Sequence, residues 1–103
     1  MPEPEITDNA SLHRFELKDG NDTAYILYSK SPDSIRLIHT EVPPALQGHG
    51  IASKMVRGTL ELLRKSGLKV IPSCPFVADY LKRHPEYLPL VETAHRGQFE
   101  VGK

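Results

Sequence analysis

The chain has 103 residues, the size of one ordinary domain, so a second folded domain is not expected. Its 13 Lys and Arg residues balance its 13 Asp and Glu residues, which argues against the broad basic surface of a general nucleic-acid binder. The single cysteine, Cys74, cannot form an internal disulfide, the N-terminus is too acidic and Pro-rich for a signal peptide, and no apolar run approaches the roughly 20 residues of a membrane span. We therefore expect a cytoplasmic protein, a monomer or weak dimer, that binds neither nucleic acid nor membrane.

The N-terminal part predicts a flexible arm over residues 1–10, followed by three strands. Residues 13–17 alternate polar and apolar side chains, as a half-buried strand does, and residues 23–28 are rich in strand-favouring types. Residues 35–42 form the third candidate, which the following pair of prolines ends because proline has no amide hydrogen to donate. The short, turn-rich connections predict an antiparallel meander.

The C-terminal part predicts a helix, a strand and another helix. From Gly50 onwards apolar side chains recur at helical spacing, and Gly67 is a typical helix stop. Residues 68–72 form a short strand candidate, and the strand–helix–strand order implies a right-handed crossover that makes this strand parallel to the third. Cys74 or the serine before it would cap the next helix, with Pro75 in its first turn.

The most informative stretch is the glycine turn, which we define as residues 47–52. A strand leads into this turn, and the turn opens directly into the long helix. The first amides of a helix have no partner within it and carry the positive end of the helix dipole, while glycine lets a phosphate oxygen approach the backbone. The glycine turn therefore predicts an anion site for a phosphorylated ligand.

Three phosphate-binding motifs and one structural alternative compete for the glycine turn. A P-loop needs Gly-Lys-Ser/Thr, which the chain lacks, and a dinucleotide fingerprint needs a third small residue and a later carboxylate, whereas Ser53 takes the third place and residues 71–73 hold no acid. The third motif, Gln/Arg-x-x-Gly-x-Gly/Ala, is met by Gln47, Gly50 and Ala52. It resembles the pyrophosphate-binding motif of the GNAT acetyltransferase superfamily. The glycines alone would equally suit a plain tight connection between strand and helix.

Several separated motifs in the same order extend this resemblance to one small GNAT-like subfamily of short proteins. They are residues 39–43, 48–52, 68–70, 74–76 and 84–87. The resemblance covers residues 15–91 and implies a minimal GNAT-like α+β fold: a three-strand meander, a helix, a parallel strand and a second helix. We expect this domain over residues 11–91, with a loosely ordered tail over residues 92–103.

The resemblance also implies that the protein binds acetyl-CoA. The pantetheine arm would lie between two splayed strands and pair with the backbone around Glu41 and Val42, and the acetyl thioester would point towards Cys74. Full-size acetyltransferases carry acceptor-binding helices and a C-terminal hairpin that have no clear counterpart here, so the acceptor amine, a small molecule or a protein lysine, is left open. The residues implied to hold the pyrophosphate are Gln47, Gly48, His49, Gly50, Ile51, Ala52 and Ser53.

Acetyl transfer to an amine needs a neutral amine, a polarised carbonyl and a protonated leaving thiolate. Glu41 is a candidate base, directly or through water, and equally suits a surface carboxylate. Tyr80 matches the tyrosine with which many GNAT enzymes protonate the departing sulfur, and it also fits the apolar face of its helix. Cys74, at a helix N-terminus that favours thiolate, is either a nucleophile that carries the acetyl group or a buried, inert cysteine.

Five histidines and one cysteine show no paired metal-ligand spacing, so we expect no metal. The leading hypothesis is an N-acetyltransferase that moves the acetyl group of acetyl-CoA directly to an amine, with a Cys74-linked route as a variant. A non-catalytic module that binds or senses acyl-CoA is the alternative. A protein-interaction domain without a nucleotide site is the third hypothesis.

Overall fold

The computed structural model describes residues 6–48 and 50–92, in which five strands form one mixed sheet in chain order. The first four strands pair antiparallel, and the fifth lies parallel to the fourth. The predicted α+β fold is therefore confirmed, with one more strand than the predicted meander. The strands are β1 (Ile6–Asn9), β2 (Arg14–Asp19), β3 (Asp22–Lys30), β4 (Ser34–Glu41) and β5 (Lys69–Pro72).

Two α-helices pack against one face of this sheet. The long helix α1 (Ile51–Ser66) buries its predicted apolar face, and Gly67 ends it in a left-handed conformation with φ of 82°. The short helix α2 (Pro75–Arg83) begins with the predicted proline at its first position. Short 3-10 turns cover Pro44–Leu46 and Pro85–Leu90. Neither α-helix in the described part of the chain is long and apolar enough to cross a membrane.

The flexible arm predicted for residues 1–10 is wrong for Ile6–Asn9, which forms the edge strand β1. The side chain of Ile6 packs against the core and lies so close to α1 that a Cβ added at Gly58 would stand 2.5 Å from its Cγ1. A four-residue strand with one apolar side chain has no visible alternation, so only pairing with β2 and contact with α1 define it. Residues 1–5 lie outside the described residues. The predicted tail also lies outside them, except that the Glu92 amide donates to the Val70 carbonyl at 2.9 Å.

A β-bulge in β4 decides which side chains face the helices. Leu27 of β3 lies opposite His39, but the next residue, Tyr28, lies opposite Leu37, so Ile38 is an extra residue in β4. Such a bulge bends the strand and changes the face to which later side chains point. The end of β4 therefore has a side-chain alternation of its own.

The same end of β4 runs past its parallel neighbour. β5 pairs with β4 only as far as Leu37, opposite Pro72, and the Cys74 amide then donates to the Leu37 carbonyl at 2.8 Å. Beyond the bulge residue Ile38, residues 39–41 of β4 have β3 as their only strand neighbour within the described part of the chain. We call the opening between residues 38–41 and the β5–α2 connection the wedge.

Candidate active site

A cavity of about 260 Å³ opens where β4 ends and α1 begins. Its walls come from the end of the strand, the glycine turn, the first turn of α1 and the start of α2. They are formed by Val42, Leu46, Gln47, Gly48, Gly50, Ile51, Ala52, Ser53 and Phe76. The structure thus brings together seven of the residues predicted to bind the cofactor. His49 lies outside the described residues.

The glycine turn and the first turn of α1 place backbone segments in the wall of this cavity. Gly48 and Gly50 have φ values of 84° and 70°, a left-handed backbone conformation that residues other than glycine rarely adopt. The Lys54 amide donates to the carbonyl of Gly50, the N-cap residue of α1, at 3.1 Å. The amides of residues 51–53 therefore have no acceptor inside the helix, and no side chain caps them. This arrangement suits an anion.

Gln47 has a structural role that the motif did not indicate. Its side-chain Nε2 donates a hydrogen bond to the Val42 carbonyl at 2.9 Å. This bond ties the glycine turn back to the strand that precedes it. Gln47 thus lines the cavity and braces the turn at the same time.

Cys74 lies at the base of the wedge rather than in the cavity wall. Its side chain is 3 % exposed, and its Sγ lies 3.1 Å from the Thr40 Oγ1 in a hydrogen bond that either group can donate. Thr40 is paired with the buried Ile26, so it points to the helix-covered face of the sheet. The thiol is therefore buried between β4 and α2, at the base of the wedge.

Glu41 points to the opposite face of the sheet and has a partner there. Its Oε1 lies 3.0 Å from the Nε2 of His39, and the two side chains are 52 % and 55 % exposed. Sequence reasoning singled out Glu41 and missed His39. The signal was present, because residues i and i+2 of a strand share a face and a His-x-Glu spacing at a strand end brings an imidazole to a carboxylate.

Tyr80 lies in a neighbouring groove of about 390 Å³ between the two helices. Its ring stacks on His84 with centroids 4.1 Å apart, and burial raises the pKa of its hydroxyl. The other lining residues are Ser53, Lys54 and Arg57, and Ser53 also lines the first cavity. Neither Glu41 nor Cys74 lines this groove, and the part of Tyr80 as an acid stays a prediction.

Metal-ligating side chains are not clustered in the described part of the chain. Among residues 6–48 and 50–92, no group of three or more His, Cys, Asp or Glu side chains could hold a metal ion. The functional groups near the wedge and the cavity include backbone amides, the imidazole and carboxylate of His39 and Glu41, and the buried thiol of Cys74. Such a set suits the binding of an anion and the transfer of a proton.

A small α+β protein with a left-handed glycine turn at the start of its long helix matches one class of enzyme folds. The chain matches the GCN5-related N-acetyl-transferase family model over residues 14–90 and belongs to that family. It is 32% identical over 66 residues to Protein NATD1 of Xenopus tropicalis, covering 63% of this chain and 61% of the relative. It is 35% identical over 66 residues to human Protein NATD1, covering 63% of this chain and 58% of the relative. The chain thus spans about three fifths of the length of these relatives.

A solved structure gives the same picture of the fold. The chain is similar to a GCN5-like candidate N-acetyltransferase from Staphylococcus aureus, determined by NMR in solution, with a TM-score of 0.66 and 28% sequence identity. The similarity covers 89% of this chain and 91% of that protein. The minimal GNAT-like architecture expected from the sequence is therefore confirmed.

Proposed function

We propose that this protein binds acetyl-CoA in the cavity at the start of α1 and transfers the acetyl group to an amine. One observation carries the proposal. The amides of residues 51–53 have no acceptors in the helix, and these residues line a cavity next to two glycines in the left-handed conformation. Membership of the GCN5-related family supports it. When bound, acetyl-CoA supplies an activated acetyl thioester.

The amides can supply a substantial part of the free energy that holds a diphosphate. Hydrogen bonds to charged groups contribute about 1.5–3 kcal/mol each, so three amides supply about 5–9 kcal/mol before the costs of association. The contacts to the rest of the ligand must offset those costs. A chain with a formal net charge of zero can therefore bind a polyanion through local geometry.

The groove between the helices suits the nucleotide end of coenzyme A. Ser53 lines both the cavity and the groove, so the two openings adjoin. Lys54 and Arg57 place two cationic side chains along the groove. The 3′-phosphate of coenzyme A is an anion of the kind that such side chains attract.

The wedge suits the pantetheine arm and the thioester. Among the described residues, residues 39–41 of β4 pair with β3 alone, and their other edge suits an extended amide chain. Glu41 and Val42, the predicted pantetheine contacts, lie where β4 ends and the cavity begins. The burial of Cys74 and its bond to Thr40 favour direct transfer to the amine over a route through an acetylated cysteine.

Titration of ¹⁵N-labelled protein with coenzyme A tests the binding step. We expect the largest amide shifts at Gly48 and residues 50–53, and small shifts in β1 and β2, which form the other edge of the sheet. Shifts that leave the glycine turn undisturbed at saturating coenzyme A would refute the proposed cofactor site.

A second function, a module that binds acyl-CoA without turnover, has one observation in its favour. In the described part of the chain, both α-helices pack on the other face of the sheet, and the side chains of His39 and Glu41 are 55 % and 52 % exposed, so neither helix shapes an acceptor pocket around them. Incubation with acetyl-CoA and a panel of alkylamines and a lysine-containing peptide, with thiol release as the signal, separates the two functions. Clear binding without thiol release above the protein-free rate would support the binding module.

A further inference from the structure

The sheet face opposite the two helices presents an imidazole–carboxylate couple directly beside the wedge. His39 and Glu41 lie on either side of Thr40 in β4, and both point away from the helices because the bulge at Ile38 shifts the alternation. Thr40 points the other way and contacts Cys74. A reacting group inside the wedge would thus have the couple on one side and the buried thiol on the other.

We propose that His39 is the catalytic proton acceptor for the attacking amine and that Glu41 orients it, an inference that rests on the proposed acetyltransferase function. An ionised carboxylate only accepts hydrogen bonds, so the 3.0 Å contact between Nε2 and Oε1 requires the proton on Nε2. The lone pair then lies on Nδ1, and the half-exposed ring can present it to a substrate. Glu41, the base predicted from the sequence, becomes the group that holds the ring and stabilises the imidazolium.

An imidazole is better matched to this task than the carboxylate beside it. A general base works best when its ordinary pKa lies near the working pH, as that of imidazole does and that of a carboxyl does not. The exposure of both side chains gives an amine from solvent direct access to Nδ1. Neither side chain lines the cavity that we assign to the cofactor, so the couple can act without a role in cofactor binding.

Charged side chains near the couple on β2 and β4 have hydrogen-bond partners of their own. Tyr25 of β3 lies opposite Glu41, and the Arg14 guanidinium from β2 stacks over the Tyr25 ring at 4.4 Å. Arg14 also bonds the buried Glu16 carboxylate at 2.6 Å. On β4 itself, the Arg36 guanidinium donates to the Ser73 hydroxyl at 2.6 Å. These neighbours are engaged with partners of their own and leave the His39 and Glu41 contact intact.

The transfer step balances with His39 as the proton acceptor. The lone pair of the neutral amine attacks the acetyl carbonyl carbon, a C–N bond forms, and the C–S bond breaks with its electron pair leaving on sulfur. The proton lost by the amine nitrogen passes to Nδ1, which makes the ring an imidazolium beside Glu41. That proton then passes to the thiolate, directly or through water, and the products are an N-substituted acetamide and a free thiol.

The tautomer of His39 tests the geometry without any turnover. Protein labelled with ¹⁵N at the histidine rings, measured above the range in which imidazoles titrate, should carry the His39 proton on Nε2. The Glu41→Ala variant should weaken this preference because the acceptor has gone. A proton on Nδ1 in the wild type would overturn the proposal.

Rescue by free imidazole tests the chemistry. Loss of a general base costs about 10²–10⁴-fold in rate, so His39→Ala should lower kcat by about 100-fold and leave the KM for acetyl-CoA unchanged. Added imidazole should restore part of the rate, because the exposed site can admit it. Under the same conditions Glu41→Gln should lose less activity than His39→Ala and gain nothing from imidazole. His13→Asn, which alters an exposed histidine with a φ of 54° that Asn tolerates, is the control and should keep wild-type turnover.

Each other outcome has a separate meaning. A His39→Ala variant with wild-type kcat, or one that imidazole does not stimulate, would overturn the role of His39. Wild-type protein that binds coenzyme A but acetylates none of the alkylamines or the lysine peptide would also overturn it, while leaving the cofactor site intact. Failure of coenzyme A to bind would instead refute the proposed function itself.

Discussion

The two α-helices begin in opposite surroundings, although neither has a side-chain cap. α1 begins at Ile51, after its N-cap Gly50, and its first three residues line a cavity. α2 begins at Pro75, and its N-cap Cys74 is held by bonds from its amide to the Leu37 carbonyl and between its thiol and Thr40. The helix dipole favours negative charge at the N-terminus of each helix, but among the described residues the start of α2 contributes only Phe76 to the wall of that cavity. An anion site therefore needs access and backbone shape as well as a helix N-terminus.

The largest expected effect on coenzyme A binding comes from a substitution at Gly50, the N-cap residue of α1. Alanine in its left-handed conformation costs about 1–2 kcal/mol, so Gly50→Ala should reorient the first amides and weaken coenzyme A binding by about tenfold or more. Calorimetric titration measures the affinity. Gly67→Ala is the matched control, because Gly67 has a similar φ of 82° at the other end of α1. The control should lose similar stability and keep its affinity, and equal affinity losses in both variants would contradict the assignment.

The next largest effect on coenzyme A binding concerns the groove between the helices, which Lys54 and Arg57 line. Lys54→Ala should weaken coenzyme A binding by about fivefold, the equivalent of about 1 kcal/mol for an exposed charge pair. It should have little effect on dephospho-coenzyme A, which lacks the 3′-phosphate. Lys65→Ala, at the last turn of the same helix, is the control for net charge. Equal losses for both ligands would place the 3′-phosphate elsewhere.

A third prediction concerns the N-terminus of α2, where Cys74 is bonded to Thr40. Thr40→Val removes the hydroxyl bonded to Cys74 and should lower the free energy of unfolding by about 1 kcal/mol, the usual worth of a hydrogen bond. Coenzyme A affinity should stay within about twofold, since Thr40 is absent from the cavity wall. Denaturant unfolding and calorimetry measure the two quantities. A large loss of affinity without loss of stability would mean that the hydroxyl contacts the ligand.

The smallest expected effect lies at Gln47. Gln47→Leu removes the exposed bond to the Val42 carbonyl and should cost about 0.5 kcal/mol of stability, with about a twofold loss of affinity as the turn loosens. Gln47→Arg, which can donate to the same carbonyl, should keep both. If the Gln47→Arg variant loses stability or affinity, Gln47 acts by some means other than the hydrogen bond that braces the turn.

Much of this fold followed from local patterns, and the exceptions have physical causes. The α1 periodicity, the stop at Gly67 and the start of α2 at Pro75 each depend on neighbouring residues, so the sequence predicted them closely. β1 was missed because one apolar side chain in four residues makes no pattern. The bulge at Ile38 was missed because it is a mismatch between two strands and not a property of either.

The candidate site shows the same division. The glycine turn was predictable because the left-handed conformation at Gly48 and Gly50 is a preference of the residue itself. The place of Tyr80 in the groove between the helices and the pairing of His39 with Glu41 were not predicted. The burial of Cys74 was one of the two alternatives that the sequence left open.

The amino-acid sequence by itself determined the helices, the order of the main strands, the glycine turn and the family, because these depend on short-range preferences and on motif order. The tertiary structure alone decided which face of β4 each side chain joins and which helix start stays open. Those outcomes depend on strand register and on what packs nearby, which are interactions between residues far apart in the chain.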